Sequence, residues 1–251
     1  MMMTLLRYTS AMRTLKRPLA NGGFRRSWLA LAAVGLMLIG ASKIWAAESQ
    51  FEEGVHFERL PVPIENPDAE GIEVVEVFSY ACIHCMNFDP LLESWRADQP
   101  EYVEFSRVPA VFNKSWEALA QAFYAAEALG VGQAVHEPLF RGIHEREVDF
   151  SDPAMLAALF ETAAGIEPME FASVYQSFSV RSRVQQAQAR TRTYRVTGVP
   201  SLVVAGQYRV DGKMAGDNLR MLEVVDYLVA RERNKGLAEP QAPQNLVVDP
   251  Q

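Results

Sequence analysis

Cys82 and Cys85 are the only cysteines of this chain, and they stand two residues apart directly after an apolar run. The run over residues 72–80 predicts a buried strand, and residues 86–95 carry apolar side chains at helical spacing. The pair therefore lies where a strand leads into the first turn of a helix. A CxxC pair in this position favours dithiol redox chemistry.

The start of a helix favours negative charge, because the N–H groups of its first turn have no partner within the helix and the helix dipole is positive there. We therefore expect Cys82 to be the exposed nucleophile, stabilised as a thiolate, with Cys85 one turn further in. His84 strengthens this effect, as a cation when protonated or through a hydrogen bond when neutral. The thiol pKa controls which sulfur attacks and which leaves in disulfide exchange.

A CxxC pair has other uses: it can be incidental, a structural disulfide or half of a metal site. A zinc site needs two further ligands, and no other cysteine supplies them. Haem attachment requires CxxCH, whereas Met86 follows Cys85. Copper bound by Cys82, Cys85 and a distant His or Met is compatible with the sequence. We expect neither a metal nor another cofactor at the pair.

The first 47 residues indicate a targeting segment, because they contain seven basic residues and no acidic one. Arg25-Arg26 precedes an apolar stretch over residues 28–41, which is short for a membrane span, and Ala46 and Ala47 follow. We expect a cleavable N-terminal signal over residues 1–47, cut after Ala46 or Ala47. An uncleaved membrane anchor and a twin-arginine export signal are the alternatives.

The charge that remains after cleavage restricts the partners. Because seven of the 24 basic residues and none of the 31 acidic ones lie in the signal, the other 204 residues carry a net charge near −14. Such a surface repels nucleic acid and anionic lipid, so we expect neither as a partner. In an oxidising compartment, a single cysteine pair is expected to be catalytic, since no cysteine is left over to cross-link the fold.

The rest of the chain predicts a block of helices between strands. A second strand is expected at residues 102–108, and a hairpin of two strands at 201–204 and 208–210. Helices are expected between them at 116–129, 134–144, 153–164, 168–178 and 181–194, and a last one at 217–233. This order is that of an α/β, thioredoxin-like fold with an inserted helical domain.

The corresponding division of the chain has five parts. We expect the thioredoxin-like domain at 48–112 and 191–236, the inserted helical domain at 113–190, and a flexible tail at 237–251, after the signal at 1–47. The tail is expected because three prolines lie in residues 239–251.

Four ordered motifs, within about residues 51 to 233, resemble those of the DsbA family, the periplasmic thiol:disulfide oxidoreductases of Gram-negative bacteria. The most specific is Glu-x-Phe-Ser-aromatic-x-Cys-x-His-Cys at residues 76–85. The others are Phe51-Glu52-Glu53-Gly54, Pro138-Leu139-Phe140-x-Gly142-Ile143 and Arg195-Val196-Thr197-Gly198-Val199-Pro200.

This resemblance implies an enzyme that introduces disulfide bonds into reduced, unfolded exported polypeptides. It implies a periplasmic monomer, re-oxidised by a DsbB-like, quinone-linked membrane oxidase. Two alternatives stay open: a periplasmic disulfide isomerase or reductase on the same fold, and a copper-binding thioredoxin-like chaperone that uses Cys82, Cys85 and Met86.

Glu76 lies in the middle of the apolar strand, where a carboxylate needs a partner or a proton. By resemblance, it is a buried acid beneath the cysteines that moves a proton to or from Cys85. The alternative is a Glu at the sheet edge without a role. Some relatives place a Lys near this acid on the next strand, where residues 102–108 offer only Arg107.

By resemblance, the bond between Val199 and Pro200 is cis and lies beside the redox pair, where the backbone pairs with an extended substrate. Val199 favours disulfide donation, because a Thr at this position is common in the isomerases. Ile83 replaces a Pro that is frequent in the family, so the redox potential is not fixed by the motif. We expect the remaining histidines, His56, His136 and His144, to be surface or core residues.

Overall fold

The computed structural model describes residues 50–64 and 70–238. The predicted signal at 1–47 and residues 239–251 of the predicted tail lie outside this range. The elements in chain order are β1 (Glu58–Arg59), β2 (Ile72–Phe78), α1 (Ile83–Ala97), β3 (Val103–Pro109), α2 (Lys114–Ala128), α3 (Gly132–His144), α4 (Pro153–Ala164), α5 (Pro168–Tyr175), α6 (Phe178–Thr193), β4 (Ser201–Val204), β5 (Tyr208–Asp211), α7 (Gly212–Ala215) and α8 (Asn218–Ala238).

The strands form one mixed sheet in the order β1-β5-β4-β2-β3. β2 and β3 run parallel and are joined by α1, as a parallel pair requires a crossover connection. The other neighbours are antiparallel. The predicted α/β, thioredoxin-like fold is confirmed, with α2 to α6 inserted between β3 and β4.

β2 is covered on both faces, which explains its nearly continuous apolar sequence. Val75 and Val77 face a core built mainly from the inserted helices. Val74 faces a second core formed with residues of α1, α8 and the hairpin β4–β5. The strand that leads to the cysteines is therefore packed between two hydrophobic cores.

The predicted helices over residues 168–178 and 181–194 are both present, but the break between them lies earlier in the chain than predicted. α5 ends at Tyr175, and α6 begins at Phe178 rather than at residue 181. Ser177 interrupts the helical run, since its side chain accepts a hydrogen bond from the Val180 N–H and caps α6. The apolar spacing continues across this break and conceals it in the sequence.

The other predicted elements are present near their expected bounds, whereas β1 and α7 were not predicted, and α8 ends at Ala238 rather than at residue 233, inside the predicted tail. In the hairpin turn over residues 205–207, Ala205 and Gly206 have two successive positive φ angles, 51° and 58°, and the Gln207 N–H donates to the Val204 carbonyl. A side chain at Gly206 would collide with the carbonyl oxygen of Ile64. None of the helices in the described part of the chain has the length and apolar character that a membrane span requires.

Candidate active site

The redox pair lies at the N-terminus of α1, as predicted. Cys82 is the N-cap residue, with extended backbone angles of −98° and 111°, and its carbonyl accepts from the N–H groups of Cys85 and Met86. Its sulfur accepts from the Cys85 N–H at 3.4 Å. Both thiols are free; Cys82 is partly exposed, whereas Cys85 is buried. The local sequence therefore places one sulfur within reach of a partner and the other behind it.

The two thiols differ strongly in acidity. The pKa of Cys82 is lowered to about 6, first by a hydrogen bond from the Cys85 thiol and then by the N–H groups of Cys85 and His84. The charge of the exposed His84 acts in the same direction and is the smallest of these contributions, while partial burial opposes them. Burial raises the pKa of Cys85, and the hydrogen bond and charge of Cys82 raise it further. At neutral pH, the pair thus holds one thiolate, on the outer sulfur.

Glu76 lies in the centre of β2, with β3 on one side and β4 on the other, so it is not at a sheet edge. Its carboxylate is buried and accepts a hydrogen bond from Arg107 Nε at 2.7 Å. Burial raises the pKa of Glu76 to about 7, against the opposing effect of Arg107. The charge of Glu76 contributes to the raised pKa of Cys85, which places the two groups in electrostatic contact.

Arg107 extends this pair into a network that the sequence did not predict. Its second guanidinium nitrogen donates to Asp89 at 2.9 Å and to Glu93 at 2.8 Å, both on α1. His136 of α3 binds the same Asp89 oxygen through Nε2, at 2.9 Å. The acid below the cysteines is thereby connected to the inserted helices.

Tyr80, two residues before Cys82, is held by α3 at two points. Its hydroxyl lies 2.9 Å from His136 Nδ1, and its backbone carbonyl accepts from His144 Nε2 at 2.8 Å. Both histidines were expected to be surface or core residues without a role at the site. Their only sequence signal is a spacing of eight residues, about two helical turns, which puts both on one side of α3.

The predicted cis bond between Val199 and Pro200 is confirmed. The Val199 carbonyl oxygen lies 3.3 Å from the Cys82 sulfur, and it accepts the thiol proton when Cys82 is protonated. Ser201 begins β4 directly afterwards and donates from its hydroxyl to the Gly198 carbonyl. The structure thus brings Val199, which is 117 residues away in the chain, to Cys82, and Pro200 follows it directly.

A cleft of about 790 Å³ opens along α1 and α3, next to the charged network. Tyr80, Met86, Asp89, Arg107 and His136 are among the residues that line it. Within residues 50–64 and 70–238, no group of three or more His, Cys, Asp or Glu side chains is arranged to hold a metal ion. Because Asp89, Arg107 and His136 line the cleft, it gives solvent a route to the charged network.

The family model of the DSBA-like thioredoxin domain matches residues 104–228. The chain is 36% identical over 206 residues to the thiol:disulfide interchange protein DsbA of Azotobacter vinelandii. The matched segment covers 81% of this chain and 95% of that protein. It is 38% identical over 173 residues to DsbA of Pseudomonas aeruginosa, covering 69% of this chain and 81% of that protein.

Solved structures give the same result. The crystal structure of Pseudomonas aeruginosa DsbA matches with a TM-score of 0.71 and 34% identity, over 74% of this chain and 97% of that one. The oxidoreductase DsbA from Xylella fastidiosa matches with a TM-score of 0.69 and 37% identity, over 73% and 98%. Likeness at this level over most of the length of these relatives shows that the chain is a thiol:disulfide oxidoreductase and belongs to the DsbA family of thiol:disulfide interchange proteins.

Proposed function

We propose that this protein acts in the oxidising direction, as a periplasmic enzyme that introduces disulfide bonds into exported polypeptides. The observation that carries the proposal is the contrast in acidity between the two thiols: the pKa of Cys82 is lowered to about 6, and that of Cys85 is raised. A stabilised Cys82 thiolate favours the reduced enzyme, and a disulfide whose reduced form is stabilised is a good oxidant.

The reaction consists of two exchanges. A substrate thiolate attacks the Cys82 sulfur, the bond between Cys82 and Cys85 breaks, and Cys85 leaves with the electron pair. A second thiolate of the substrate then attacks the substrate sulfur of the mixed disulfide, and Cys82 leaves as a thiolate. The substrate loses two electrons and gains a disulfide, while the enzyme becomes a dithiol. The lowered pKa of Cys82 makes it the better leaving group in the second exchange.

Glu76 supplies the proton in the first exchange. Cys85 leaves into a buried position, where its raised pKa means that the thiolate takes up a proton. Glu76 has a pKa of about 7, so at neutral pH about half of the molecules carry a proton there. Re-oxidation of the enzyme returns this proton to Glu76.

Val199 and Pro200 form the substrate-binding segment. The Val199 carbonyl oxygen lies 3.3 Å from the reacting sulfur, so an extended polypeptide joined to Cys82 passes next to it. A backbone N–H of that polypeptide replaces the Cys82 thiol as the donor to this oxygen. His84, exposed on the first turn of α1, faces the incoming chain and adds a positive charge when protonated.

The cellular setting is also part of the proposal. Residues 1–47 direct export to the periplasm and are removed, and the enzyme acts as a monomer on unfolded polypeptides. A DsbB-like, quinone-linked membrane oxidase regenerates the disulfide. We assign residues 113–190 to the inserted helical domain, and residues 48–112 and 191–236 to the thioredoxin-like domain.

Two variants test the roles of the cysteines. Cys82→Ser should not oxidise a peptide with two reduced cysteines, and residual oxidation would refute the assignment of the nucleophile. Cys85→Ser, carrying glutathione on Cys82, should exchange it for a peptide with one cysteine and hold that peptide as a mixed disulfide. The wild-type protein should release the same peptide, because Cys85 attacks the bond.

Equilibration of the wild-type protein with glutathione buffers tests the direction of exchange. A potential well above that of glutathione supports an oxidase, and one far below it supports a reductase. Stoichiometric binding of Cu(I) by the reduced protein, together with no oxidation of the peptide by the oxidised protein, would instead support a copper chaperone.

A further inference from the structure

Three carboxylates share one guanidinium beneath α1. Arg107 donates to Glu76 from Nε and to Asp89 and Glu93 from a second nitrogen. The guanidinium lies 2.7 to 2.9 Å from all three acids, and because attraction falls with distance, a shift towards one acid weakens its attraction for the others. The position of Arg107 among them therefore determines how strongly the negative form of Glu76 is stabilised.

The two outer acids each have a second partner. Arg96 donates to Glu93 at 2.7 Å, and His136 binds Asp89 at 2.9 Å. Their side chains are 31% and 18% exposed, so water stabilises them further. The Glu76 side chain is only 2% exposed, and within the described part of the chain Arg107 is its only ion-pair partner. Glu76 thus depends on Arg107 more than either competitor does.

The network fixes which nitrogen of His136 carries a proton. Tyr80 is buried, and burial raises the pKa of its hydroxyl, so it stays protonated and donates to Nδ1. With Nδ1 as the acceptor, a neutral imidazole carries its proton on Nε2 and donates it to Asp89. The ring packs edge-on against Phe140, with the centroids 5.1 Å apart, which limits its rotation.

We propose that His136 is a positioning residue for disulfide exchange. By donating a hydrogen bond to Asp89, it weakens the competition of Asp89 for Arg107, so that the guanidinium stays paired with Glu76, the acid beneath the redox pair. This inference rests on the proposed role of Glu76 as the proton donor to Cys85. Without a donor at position 136, Asp89 draws the guanidinium towards itself. The negative form of Glu76 then loses stabilisation, and its titration moves to higher pH.

Several groups around Glu76 titrate or carry charge. The step that belongs to Glu76 in the pH profile of the oxidation rate therefore has to be identified. They come from α1, β3, α3 and the segment after β2, and they are Cys82, His84, Cys85, Asp89, Glu93, Arg96, Arg107, His136 and Tyr80. Glu127, Glu137, Arg141 and Glu145 line the cleft further out. The variant Glu76→Gln separates the step of Glu76 from the rest, because only that step disappears.

The test is the pH dependence of the rate at which the oxidised protein oxidises a two-cysteine peptide. In His136→Phe, the step that Glu76→Gln removes should move up by about half a pH unit or more, the scale on which one neighbouring charge acts. His136→Gln should restore it, because the amide can donate to Asp89. His56→Gln is the matched control, at a partly exposed histidine that accepts from the Glu52 N–H outside the network.

Asp89→Asn tests the same reasoning with the opposite sign and without altering the histidine. It removes the competing charge, so the step should move to lower pH. In this background His136→Phe should have no further effect, since the coupling between the two residues is the proposed cause. Thermal unfolding of each variant identifies any that is simply misfolded.

A step that stays at the wild-type pH in folded His136→Phe would overturn the inference, and so would equal shifts in the Phe and Gln variants. Additive shifts in the double variant with Asp89→Asn would overturn it as well. If the wild-type protein oxidises the peptide but shows no step that depends on Glu76, the inference fails and the oxidase stands. If the wild-type protein does not oxidise the peptide, the proposed function itself fails.

Discussion

The acidity of Cys82 links the redox state of the protein to its stability. Folding lowers the pKa of this thiol from 9.0 to about 6. A group with a lower pKa in the folded state contributes stability above that pKa, and the contribution is lost as the pH falls through it. Only the reduced protein has this thiol, so only the reduced protein should gain this contribution when the pH is raised from 5 to 7.

The size of the gain follows from the two pKa values. At pH 5, the thiol is protonated in both the folded and the unfolded state, and the contribution is close to zero. At pH 7, ionisation favours the folded state about elevenfold over a thiol with the ordinary pKa, which corresponds to about 1.4 kcal/mol. Because Cys82 is partly exposed, solvent screens the charge, and this value is an upper bound. Expressed as a potential, it makes the disulfide at most about 30 mV more oxidising at pH 7.

Urea unfolding of the reduced and oxidised proteins at pH 5 and pH 7 measures this directly. The free energy of unfolding of the reduced form, minus that of the oxidised form, should grow between the two pH values by up to about 1.4 kcal/mol. Glu76 also titrates in this range, so the same comparison in Glu76→Gln is the control, and the growth should persist there. A difference that does not change with pH in either protein would refute the assignment of a stabilised thiolate to Cys82.

Two further predictions concern the neighbours of the redox pair. Replacing Cys85 by Ala should raise the Cys82 pKa more than His84→Ala does, because the Cys85 thiol makes the largest contribution to the lowered pKa and the His84 charge the smallest. Ultraviolet titration of the thiolate measures both pKa values. A larger rise in His84→Ala would contradict this order. Arg107→Leu leaves Glu76 buried without its partner, and the carboxyl then takes up a proton instead of staying charged. Because the pKa of Glu76 is about 7, loss of this ion pair should cost up to about 1.4 kcal/mol of unfolding free energy at pH 8. The loss should be smaller at pH 5, where Glu76 is protonated, and an equal loss at both pH values in urea unfolding would show that the ion pair is not the cause.

The sequence predicted well those features that depend on neighbouring residues. The strand before the cysteines and the helix after them follow from local apolar spacing, and the cis bond before Pro200 follows from the resemblance of its motif. The break between α5 and α6 was predicted too late in the chain, although its signal is local. Ser177 is a good N-cap residue, but the apolar run around it extends the first predicted helix to residue 178.

The charged network could not be predicted in the same way. Arg107 was the only basic residue of its strand, so the sequence named it as the candidate partner of Glu76, and the parallel register pairs the two residues. The contact of Tyr80 with His136 joins residues 56 positions apart, and that of Asp89 with His136 joins residues 47 apart. Such pairs depend on how α3 packs against α1, which a single sequence does not specify.

The two contacts of α3 with Tyr80 have a consequence for chimeras between members of this family. Because His136 and His144 bind Tyr80, two residues before Cys82, the inserted helices help to position the redox pair. A graft that replaces these helices with those of a relative lacking the two histidines would leave the Tyr80 hydroxyl and carbonyl without their partners. The smallest transferable unit is therefore α3 together with the segment from the end of β2 to the first turn of α1.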